Sequence, residues 1–306
     1  MKIRKAILLL LILVLASGCL GTSGTAESVP DPERELLRLH QINIGSADAY
    51  LLTVGDLVIL VDCGTNITVP ISDNAGNPPL FGYLEASGID HVDVHFVTHW
   101  HNDHCYNVDR LSALYGTEDT IVYGPSAEIL KALSPLPFGT YRQLKDGDHL
   151  TVGPLDILCV SPPFKENLSG QSNSQSLNFI VTYYDIRIMF TGDFMDWSLL
   201  RRWGDTLADV DILSFPHHGI NNPIAVTEQV YMLVNPHLIL VPGGERGIVR
   251  NFALNKAYAQ TDPVIYCTKD GNILVSTDGT GIWTATQVEP GTFPLGEPLP
   301  PRKNVR

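Results

Sequence analysis

The chain has 306 residues, of which 44% are hydrophobic and 17% are charged, a composition typical of a globular protein with one large or two small domains. Its formal net charge is −13, from 33 acidic and 20 basic residues. A surface this acidic repels polyanions, which argues against nonspecific nucleic-acid binding by the whole chain. Any phosphate ligand has to be attracted locally, for instance by a metal ion.

The amino terminus differs in composition from the rest of the chain. Lys2, Arg4 and Lys5 precede an unbroken apolar run over 6–16, which is too short to span a bilayer. A basic start, an apolar run and then small residues are the order of a secretory signal, whereas a short buried helix needs neither flank. Residues 1–18 are therefore predicted to be a signal peptide. Its removal takes away three positive charges and changes the formal charge from −13 to −16.

The stretch LASGC, which ends at Cys19, resembles a lipobox, the signal of lipoproteins, although Ala16 stands where leucine is commoner. The resemblance implies that Cys19 carries acyl chains and anchors the exported protein to the outer face of the cell membrane. Residues 19–35 are small, polar and proline-bearing, as expected of a flexible tether. Nothing in the sequence indicates an obligate protein partner.

From residue 36 on, short apolar strands alternate with helix-like stretches, without an internal repeat or a break in composition. The segment LLRLHQINI predicts one strand, and AYLLTVGDLVILVDCG predicts two strands around a Val-Gly-Asp turn. Further strands are predicted within VDVHFVTH, TIVYG, LTVGPLDILCVSP, LNFIVTYYDIRIMFTGD, DILSFPHHG, HLILVPGG, PVIYCT and GNILVST. Helices are predicted near 107–115, 125–133, 196–203, 224–234 and 251–259. This order favours a single α/β domain over 36–286, followed by a proline-rich tail over 287–306.

Histidine and aspartate are concentrated in FVTHWHNDHC, directly after a predicted buried strand. His99 and His101 alternate along an extended segment and share one side of it, whereas Asp103 and His104 follow a turn toward a helix. Two pairs of ligands with different directions suit two metal ions better than one. Imidazole with carboxylate favours zinc, although manganese or iron accepts the same ligands. A solvated loop is the alternative interpretation, and four such residues in six positions make it the weaker one.

Three predicted strand ends carry side chains that could bind a metal ion. FVTH, FTGD and SFPHH each place a histidine or an aspartate just after a run of apolar residues. Chain segments that leave a sheet present their side chains at its rim, so these three strand ends can converge on one site.

The sequence THWHNDH matches the HxHxDH motif, and with it the chain resembles the metallo-β-lactamase superfamily, whose α/β fold is a four-layer αββα sandwich. VDCG, FTGD and PHHG are similar to further motifs of that superfamily. The resemblance implies that Asp62 orients the histidine-bearing loop and that Asp193 bridges two metal ions. It assigns one metal ion to His99, His101 and Asp193. It assigns the other to Asp103, His104, His218 and the shared Asp193.

The finer resemblance is to the ComEC-type branch, the competence-protein domain. Segments similar to INIGSADAYLLTVGDLVILVDCG, LKDGDHLTVGPLDILCVSP, an Asn-x-x-Ser pair, PHHG and DGNILVSTDG occur there in the same order. Two departures stand out. Ser46 replaces the usual glutamine, and no third histidine lies between the cluster and Asp193. Asn173 or Ser176 would face the site instead, which leaves one metal ion with fewer protein ligands.

The resemblance implies a hydrolase, with two zinc ions as the expected cofactor and a phosphodiester as the expected substrate. Two cations roughly 3.5–4 Å apart lower the pKa of a bridging water to about 7 and clamp the scissile group. The acidic charge favours a small phosphodiester or a short nucleic-acid strand. An amide or ester hydrolase, acting on a β-lactam or lactone, is one alternative. A surface lipoprotein that keeps the metal without catalysis is another.

The candidate catalytic residues are Asp103 and His217. His217 either contacts a substrate oxygen or acts as a general acid, or it merely packs in its turn. Asn173 and Ser176 are balanced in the same way between substrate contact and turn chemistry.

Several other residues are left open by the sequence. No disulfide connectivity follows for Cys63, Cys105, Cys159 and Cys267. Cys63 and Cys105 adjoin motif positions, but a metal role for either is the minor interpretation. Glycosylation sequons occur at Asn66 and Asn167. The isolated histidines are expected to lie on solvated loops: His40, His91, His95, His149 and His237.

Overall fold

The computed structural model describes residues 29–65, 79–127, 140–161, 173–219, 228–243 and 255–303. The predicted signal peptide, Cys19, the first part of the tether and the sequons at Asn66 and Asn167 lie outside the described residues. None of the helices within the described ranges is long and apolar enough to cross a membrane.

The described part of the chain contains strands, short α-helices and 3₁₀ segments. In chain order the strands are β1 (Leu37–Gln41), β2 (Tyr50–Val54), β3 (Leu57–Val61), β4 (Val94–Phe96), β5 (Ile121–Gly124), β6 (Thr140–Gln143), β7 (His149–Val152), β8 (Leu155–Cys159), β9 (Phe179–Tyr183), β10 (Ile186–Phe190), β11 (Ile212–Ser214), β12 (Leu238–Val241), β13 (Val264–Cys267), β14 (Ile273–Thr277), β15 (Ile282–Ala285) and β16 (Glu297–Pro298). The α-helices are α1 (Pro79–Ala86), α2 (Asn102–Cys105), α3 (Val108–Tyr115), α4 (Glu228–Val234) and α5 (Asn255–Thr261). The 3₁₀ segments are Asn173–Gln175, Trp197–Leu207, His217–Gly219 and Thr268–Asp270.

The strands form two sheets. Their orders are β16-β15-β14-β1-β2-β3-β4-β5-β6 and β13-β12-β11-β10-β9-β8-β7. Neighbours from β3 to β6 are parallel, as are those from β10 to β13, and the other described pairs are antiparallel. The parallel strands of each sheet therefore end at one rim, and connecting segments at that rim can meet.

Three apolar cores divide the sandwich into four layers. Alternation along β10 shows the pattern, because Ile188 and Phe190 face the opposite sheet whereas Met189 faces the helical side. The central core is formed by both sheets. Helices α1 and α3 pack on the outer face of the larger sheet, and α4 and α5 pack on the outer face of the smaller one. The predicted αββα fold class is confirmed.

Most predicted elements are present, and the exceptions have local causes. Every predicted strand segment contains a strand, including the β2–β3 hairpin, and helices α3, α4 and α5 overlap predicted ranges. The helix predicted near 196–203 is present, but as a 3₁₀ helix over Trp197–Leu207 with a break at Gly204. Of the helix predicted near 125–133, only the first residues are described. The sequence analysis missed α1, which is short and contains Gly82, β6, whose half-exposed TYRQ shows no apolar alternation, and the four-residue β15.

The prediction that the isolated histidines lie on solvated loops is wrong for His40, His95 and His149, which lie in strands, and the first two of these are buried. His40 of β1 and His95 of β4 are 0% and 1% exposed, and both belong to the outward face of the larger sheet. His40 Nδ1 lies 2.8 Å from the Tyr83 hydroxyl, whereas neither ring nitrogen of His95 has a hydrogen-bond partner among the described residues. Burial lowers the pKa of each ring to about 3, so both are neutral at pH 7. The sequence pattern did not distinguish these positions because the helices covering them come from elsewhere in the chain.

The segment predicted as a proline-rich tail over 287–306 packs against the domain in its described part. β16 pairs with β15, and Arg302 Nη2 lies 2.8 Å from Asp211 Oδ1, just before β11. His237, just before β12, bonds to the Pro300 carbonyl. The segment therefore joins both sheets at the end opposite to the rim described above.

Candidate metal centre

The predicted site residues lie at the rim where parallel strands of both sheets end. Asp62 follows β3, His99 follows β4, and Asp193 follows β10. His217 and His218 follow β11. The structure thus brings together the three predicted strand ends, which belong to two different sheets.

Asp62 ties the histidine-bearing loop to the sheet. Its Oδ1 accepts a hydrogen bond from the Thr98 N–H and its Oδ2 one from the Thr98 hydroxyl, both at 2.7 Å. Its Oδ2 also lies 2.7 Å from His104 Nδ1. Burial raises the pKa of Asp62 to about 6, against the opposing effect of His104. The contact places the His104 proton on Nδ1 and leaves Nε2 free to bind a cation.

Two glycines permit the close approach of these segments. A Cβ on Gly64 would lie 1.8 Å from the Asp103 carbonyl oxygen, because the backbones of the two segments are in contact there. Gly192 has a φ of +48°, and a Cβ on it would lie 2.6 Å from Thr98 Oγ1. Larger residues at either position would push Asp103 or Asp193 out of the site.

The first predicted ligand group is formed by His99, His101 and Asp193, whose ligand atoms all lie within 4.8 Å of one another. His99 Nε2 lies 3.0 Å from His101 Nδ1 and 3.7 Å from Asp193 Oδ2. Burial lowers the pKa of His99 well below its usual value, so this ring is neutral and can donate a lone pair to a cation.

The second group is formed by Asp103, His104, Asp193 and His218, also within 4.8 Å of one another. His104 Nε2 lies 3.0 Å and His218 Nε2 lies 3.6 Å from Asp193 Oδ1. His218 Nε2 lies 2.9 Å from Asp103 Oδ2. The two oxygens of Asp193 therefore face different ligand groups, as a carboxylate shared by two cations must.

The buried atoms of this group fit a metal ion better than they fit one another. His104 Nε2 and Asp193 Oδ1 form an ion-pair contact at 3.0 Å, and within the described residues neither atom has a hydrogen-bond partner of regular geometry. Both are buried, and leaving such atoms unpaired is costly. A cation bound between them satisfies both.

The electrostatics of the rim favour cations. Burial opposes a charge on His104 and His218, but the surrounding carboxylates raise the pKa of His104 well above its usual value and that of His218 to about 10. Despite burial, the neighbouring histidines hold the pKa of Asp193 far below its usual range. Asp193 is therefore ionised and offers both oxygens as ligands.

His217 and His218 are held by a strained turn. Their φ values are +54° and +51°, a region that residues other than glycine seldom adopt and that costs about 1–3 kcal/mol each. This turn directs His218 to the buried ligand group. The His217 side chain is 21% exposed, and its Nε2 lies 3.7 Å from Asp193 Oδ2. His217 therefore stands at the outer edge of the site.

Asn173 and Ser176 take different places in the absence of a third histidine. Asn173 Nδ2 lies 3.3 Å from His217 Nε2, and Asn173 Oδ1 has no partner. Ser176 is fully buried, and its hydroxyl accepts a hydrogen bond from the Asp193 N–H at 3.2 Å. Asn173 can thus reach a substrate together with His217, whereas Ser176 holds the backbone of Asp193.

The sequence analysis missed Asp48, which is buried behind the second ligand group. Asp48 Oδ1 lies 3.0 Å from His218 Nδ1, and Asp48 Oδ2 lies 3.9 Å from His104 Nδ1. The sequence signal for Asp48 was its position in INIGSADAYLL, a segment already identified by its resemblance to the ComEC-type branch. Without the distances, a lone aspartate in a loop between strands carries no role.

All four described cysteines are free thiols and buried: Cys63, Cys105, Cys159 and Cys267. None of them belongs to the ligand groups found among the described residues. Burial raises the pKa of Cys105 to about 12 and that of Cys159 to about 11, so both thiols are protonated and poor ligands at pH 7.

The fold and this rim site agree with a family comparison. Residues 58–232, more than half of the chain, match the family described as beta-lactamase superfamily domain. The chain belongs to the metallo-β-lactamase superfamily, a superfamily of metal-dependent hydrolases.

Individual relatives are similar over parts of the chain. Ribonuclease Z of Clostridium tetani is 28% identical over 126 residues, which cover 39% of this chain and 33% of the relative. Hydroxyacylglutathione hydrolase of Brucella anthropi is 34% identical over 104 residues, 33% of each chain. The chain thus spans a third of the length of these curated relatives. The solved metallo-β-lactamase-fold protein YhfI of Bacillus subtilis covers 82% of this chain and all of its own, with a TM-score of 0.52 and 16% identity.

Proposed function

We propose that the protein is a dinuclear zinc hydrolase that cleaves a small phosphodiester. The observation that carries this proposal is the position of Asp193. Its Oδ1 faces His104 and its Oδ2 faces His99, at 3.0 and 3.7 Å, so that one carboxylate is shared by two separate ligand groups. Imidazole nitrogens mixed with carboxylates suit zinc among the common cations.

The charge of the rim supports two cations. Four buried carboxylates belong to it, those of Asp48, Asp62, Asp103 and Asp193. Within the described residues, their ion pairs are formed with histidine and not with lysine or arginine. Two divalent cations bring four positive charges, which match four carboxylates when the imidazoles are neutral.

Two bound zinc ions supply Lewis acidity and a water ionised near neutral pH. The chain's own residues prepare the site for this chemistry. Asp62 holds the proton of His104 on Nδ1, so that Nε2 keeps its lone pair. Asp103 Oδ2 lies 2.9 Å from His218 Nε2, so the two side chains are placed to ligate the same cation.

The outer edge of the site provides contacts for a substrate. Burial lowers the pKa of His217, so its ring is neutral at pH 7 and can offer one N–H to a phosphoryl oxygen, whereas protonation of a leaving group would need the charged ring. The amide of Asn173 lies beside it. We propose that both residues contact the substrate.

The choice of a phosphodiester rests on the ComEC-type motifs and on ribonuclease Z as a relative. The charge of −16 expected after signal removal favours a small diester or a short strand over long polyanions. A second candidate is hydrolysis of an acyl bond, which the similarity to hydroxyacylglutathione hydrolase favours. A non-catalytic metal-binding lipoprotein is the poorest of the three, because the full ligand set is present at the rim.

The test combines metal analysis with three substrates. We expect two zinc ions per chain and turnover of bis(p-nitrophenyl) phosphate, with less or no turnover of nitrocefin and of an acylglutathione thioester. One bound ion would remove the two-metal mechanism. Turnover of the acyl substrates alone would replace the phosphodiesterase assignment with the second candidate, and no turnover of any ester would leave a binding protein.

Substitution of one proposed metal ligand makes this test more specific. His104→Ala is expected to bind one zinc ion fewer and to lose activity on the order of 100-fold or more, since even indirect contacts to a ligand are worth 10–100-fold. Its circular dichroism should match that of the wild type, because the rim contributes little to the three cores. His149→Ala, at an exposed position of β7, is the matched control and should keep both metal ions. An unfolded His104→Ala would show that the cluster is structural.

A further inference from the structure

Asp48 is held against the metal-binding segments by its own backbone. It is 2% exposed and lies between β1 and β2. Its N–H donates to the Asp103 carbonyl at 2.9 Å, and its carbonyl accepts from the Gly64 N–H at 3.1 Å. Its position is therefore set by the same segments that carry two of the rim carboxylates.

The Asp48 carboxylate faces the rear of two imidazoles. Its Oδ1 lies 3.0 Å from His218 Nδ1 and its Oδ2 lies 3.9 Å from His104 Nδ1. The other nitrogen of each ring, Nε2, faces Asp193. Asp48 thus approaches both rings from the side away from the cation that they are proposed to bind.

Hydrogen bonds alone do not explain why the Asp48 carboxylate lies behind these two imidazoles. His104 Nδ1 already bonds to Asp62 at 2.7 Å, and His218 Nδ1 bonds to the Pro242 carbonyl at 2.9 Å. Asp48 Oδ1 is buried without a hydrogen-bond partner within the described residues. A buried charge with an unpaired oxygen is unfavourable unless a positive charge lies nearby.

We propose that Asp48 is a positioning residue for the metal centre, which strengthens cation binding at the group of His104 and His218 by acting through both imidazoles. A negative charge behind each ring makes its Nε2 a better donor to a cation. It also supplies the fourth negative charge that balances two divalent cations. The inference rests on the metal centre of the proposed function, but it does not depend on which bond is cleaved.

Asp48 differs in this respect from the other buried aspartates. Asp62 is hydrogen-bonded to Thr98 and acts on His104 alone. Asp278, far from the rim, is 2% exposed and accepts from the N–H groups of Thr280 and Gly281, both at 2.8 Å. Asp278 therefore serves as the matched control, a buried aspartate with a purely structural role.

The experiment compares Asp48→Asn with Asp278→Asn in the full chain. Zinc affinity is measured by competition with a chromophoric chelator, and the melting temperature is measured with and without zinc. We expect Asp48→Asn to bind one zinc ion about 10–100-fold more weakly. Its melting temperature should fall more with zinc than without it, since the metal-free protein loses only the ion pair between Asp48 and His218, whereas the loaded protein also loses zinc affinity. Asp278→Asn should lower the melting temperature equally with and without zinc and leave the zinc affinity unchanged.

Each contrary result has a definite meaning. Unchanged zinc affinity in Asp48→Asn, or a fall in melting temperature equal with and without zinc, would overturn the proposal. Should Asp48→Asn not fold, Asp48→Ser removes the charge and leaves room for a water, and failure of both to fold even with zinc would make Asp48 structural. A wild-type protein that binds zinc but cleaves no ester contradicts the proposed function and leaves the Asp48 comparison valid. A wild-type protein that binds no zinc contradicts both.

Discussion

Gly64 shows how closely the segments of the metal centre approach one another. The Cys63 N–H donates to the His104 carbonyl at 2.7 Å, and the Thr65 N–H donates to the Asn102 carbonyl at 3.0 Å. Gly64 stands between these two bonds, with its α-carbon against Asp103. At the scale of single residues, the positions of the ligands thus depend on backbone contacts that leave no room for a side chain.

Replacing Gly64 by alanine is therefore expected to disrupt the site. The added Cβ lies 1.8 Å from the Asp103 carbonyl oxygen, so the backbone must move, which lowers the free energy of unfolding by roughly 1–3 kcal/mol or more. Urea unfolding measures this change, and zinc titration should show weaker binding as Asp103 shifts. Gly88→Ala is the control, because its φ of +69° costs about 1 kcal/mol but no atom lies within 4 Å of the new Cβ. Equal losses in both variants would contradict the steric explanation.

At the scale of elements, β4 connects the core to the site. Phe96 faces the opposite sheet, and His95 faces the outer helical layer, next to Leu60 and Val122 in the neighbouring strands. His99 follows at the end of the same strand. A buried neutral imidazole in β4 therefore makes the element that delivers the ligands sensitive to acid.

The free energy of unfolding of the metal-free protein is expected to decrease as the pH drops from about 6.5, in part because of His95. Its pKa is lowered by burial to about 3 in the native state, so between these values the unfolded chain binds a proton that the native chain does not. The free energy of unfolding then decreases by up to about 1.4 kcal/mol per pH unit for this residue. The contribution is constant above about pH 7, where the ring is neutral in both states.

Urea unfolding of His95→Leu between pH 4.5 and 7.5 tests this expectation. The variant should lose this part of the pH dependence. Its free energy of unfolding, relative to that of the wild type, should therefore rise as the pH falls. Val94→Ala, in the same strand and equally buried, should differ from the wild type by the same amount at every pH. Parallel curves for His95→Leu and the wild type would show that the imidazole is not kept neutral.

At the scale of the whole molecule, the two ends of the sandwich differ in the residues that they contain. The rim with the carboxyl ends of the parallel strands holds the ligand groups, and the opposite end is joined by the carboxy-terminal segment through Arg302 and Asp211. The chain is acidic overall, with a formal charge of −13. For the proposed hydrolase, a net charge of this sign disfavours polyanionic substrates relative to small anions.

The membrane attachment proposed from LASGC is tested on the whole protein. After expression in a bacterial host, the wild type should enter the detergent phase of a Triton X-114 partition, because more than one acyl chain on Cys19 gives stable anchoring. Cys19→Ser should remain in the aqueous phase or keep its signal peptide, whereas Ser23→Ala, in the same stretch, should behave as the wild type does. A wild type found in the aqueous phase would contradict the lipid anchor.

The sequence by itself determined the elements and the types of ligand. Period-two apolar runs predicted the strands, and the HxHxDH cluster with the FTGD and PHHG strand ends predicted one shared metal site, because residue type and local spacing carry that information. The division of the ligands into two groups came from the resemblance to the metallo-β-lactamase superfamily. Only the tertiary structure decided which side chain lies behind the ligands and which isolated histidines are buried. Asp48 and His218 are far apart in the chain and 3.0 Å apart in space, and the burial of His40 and His95 depends on helices that follow later. Such contacts result from the packing of two sheets, and no local pattern records them.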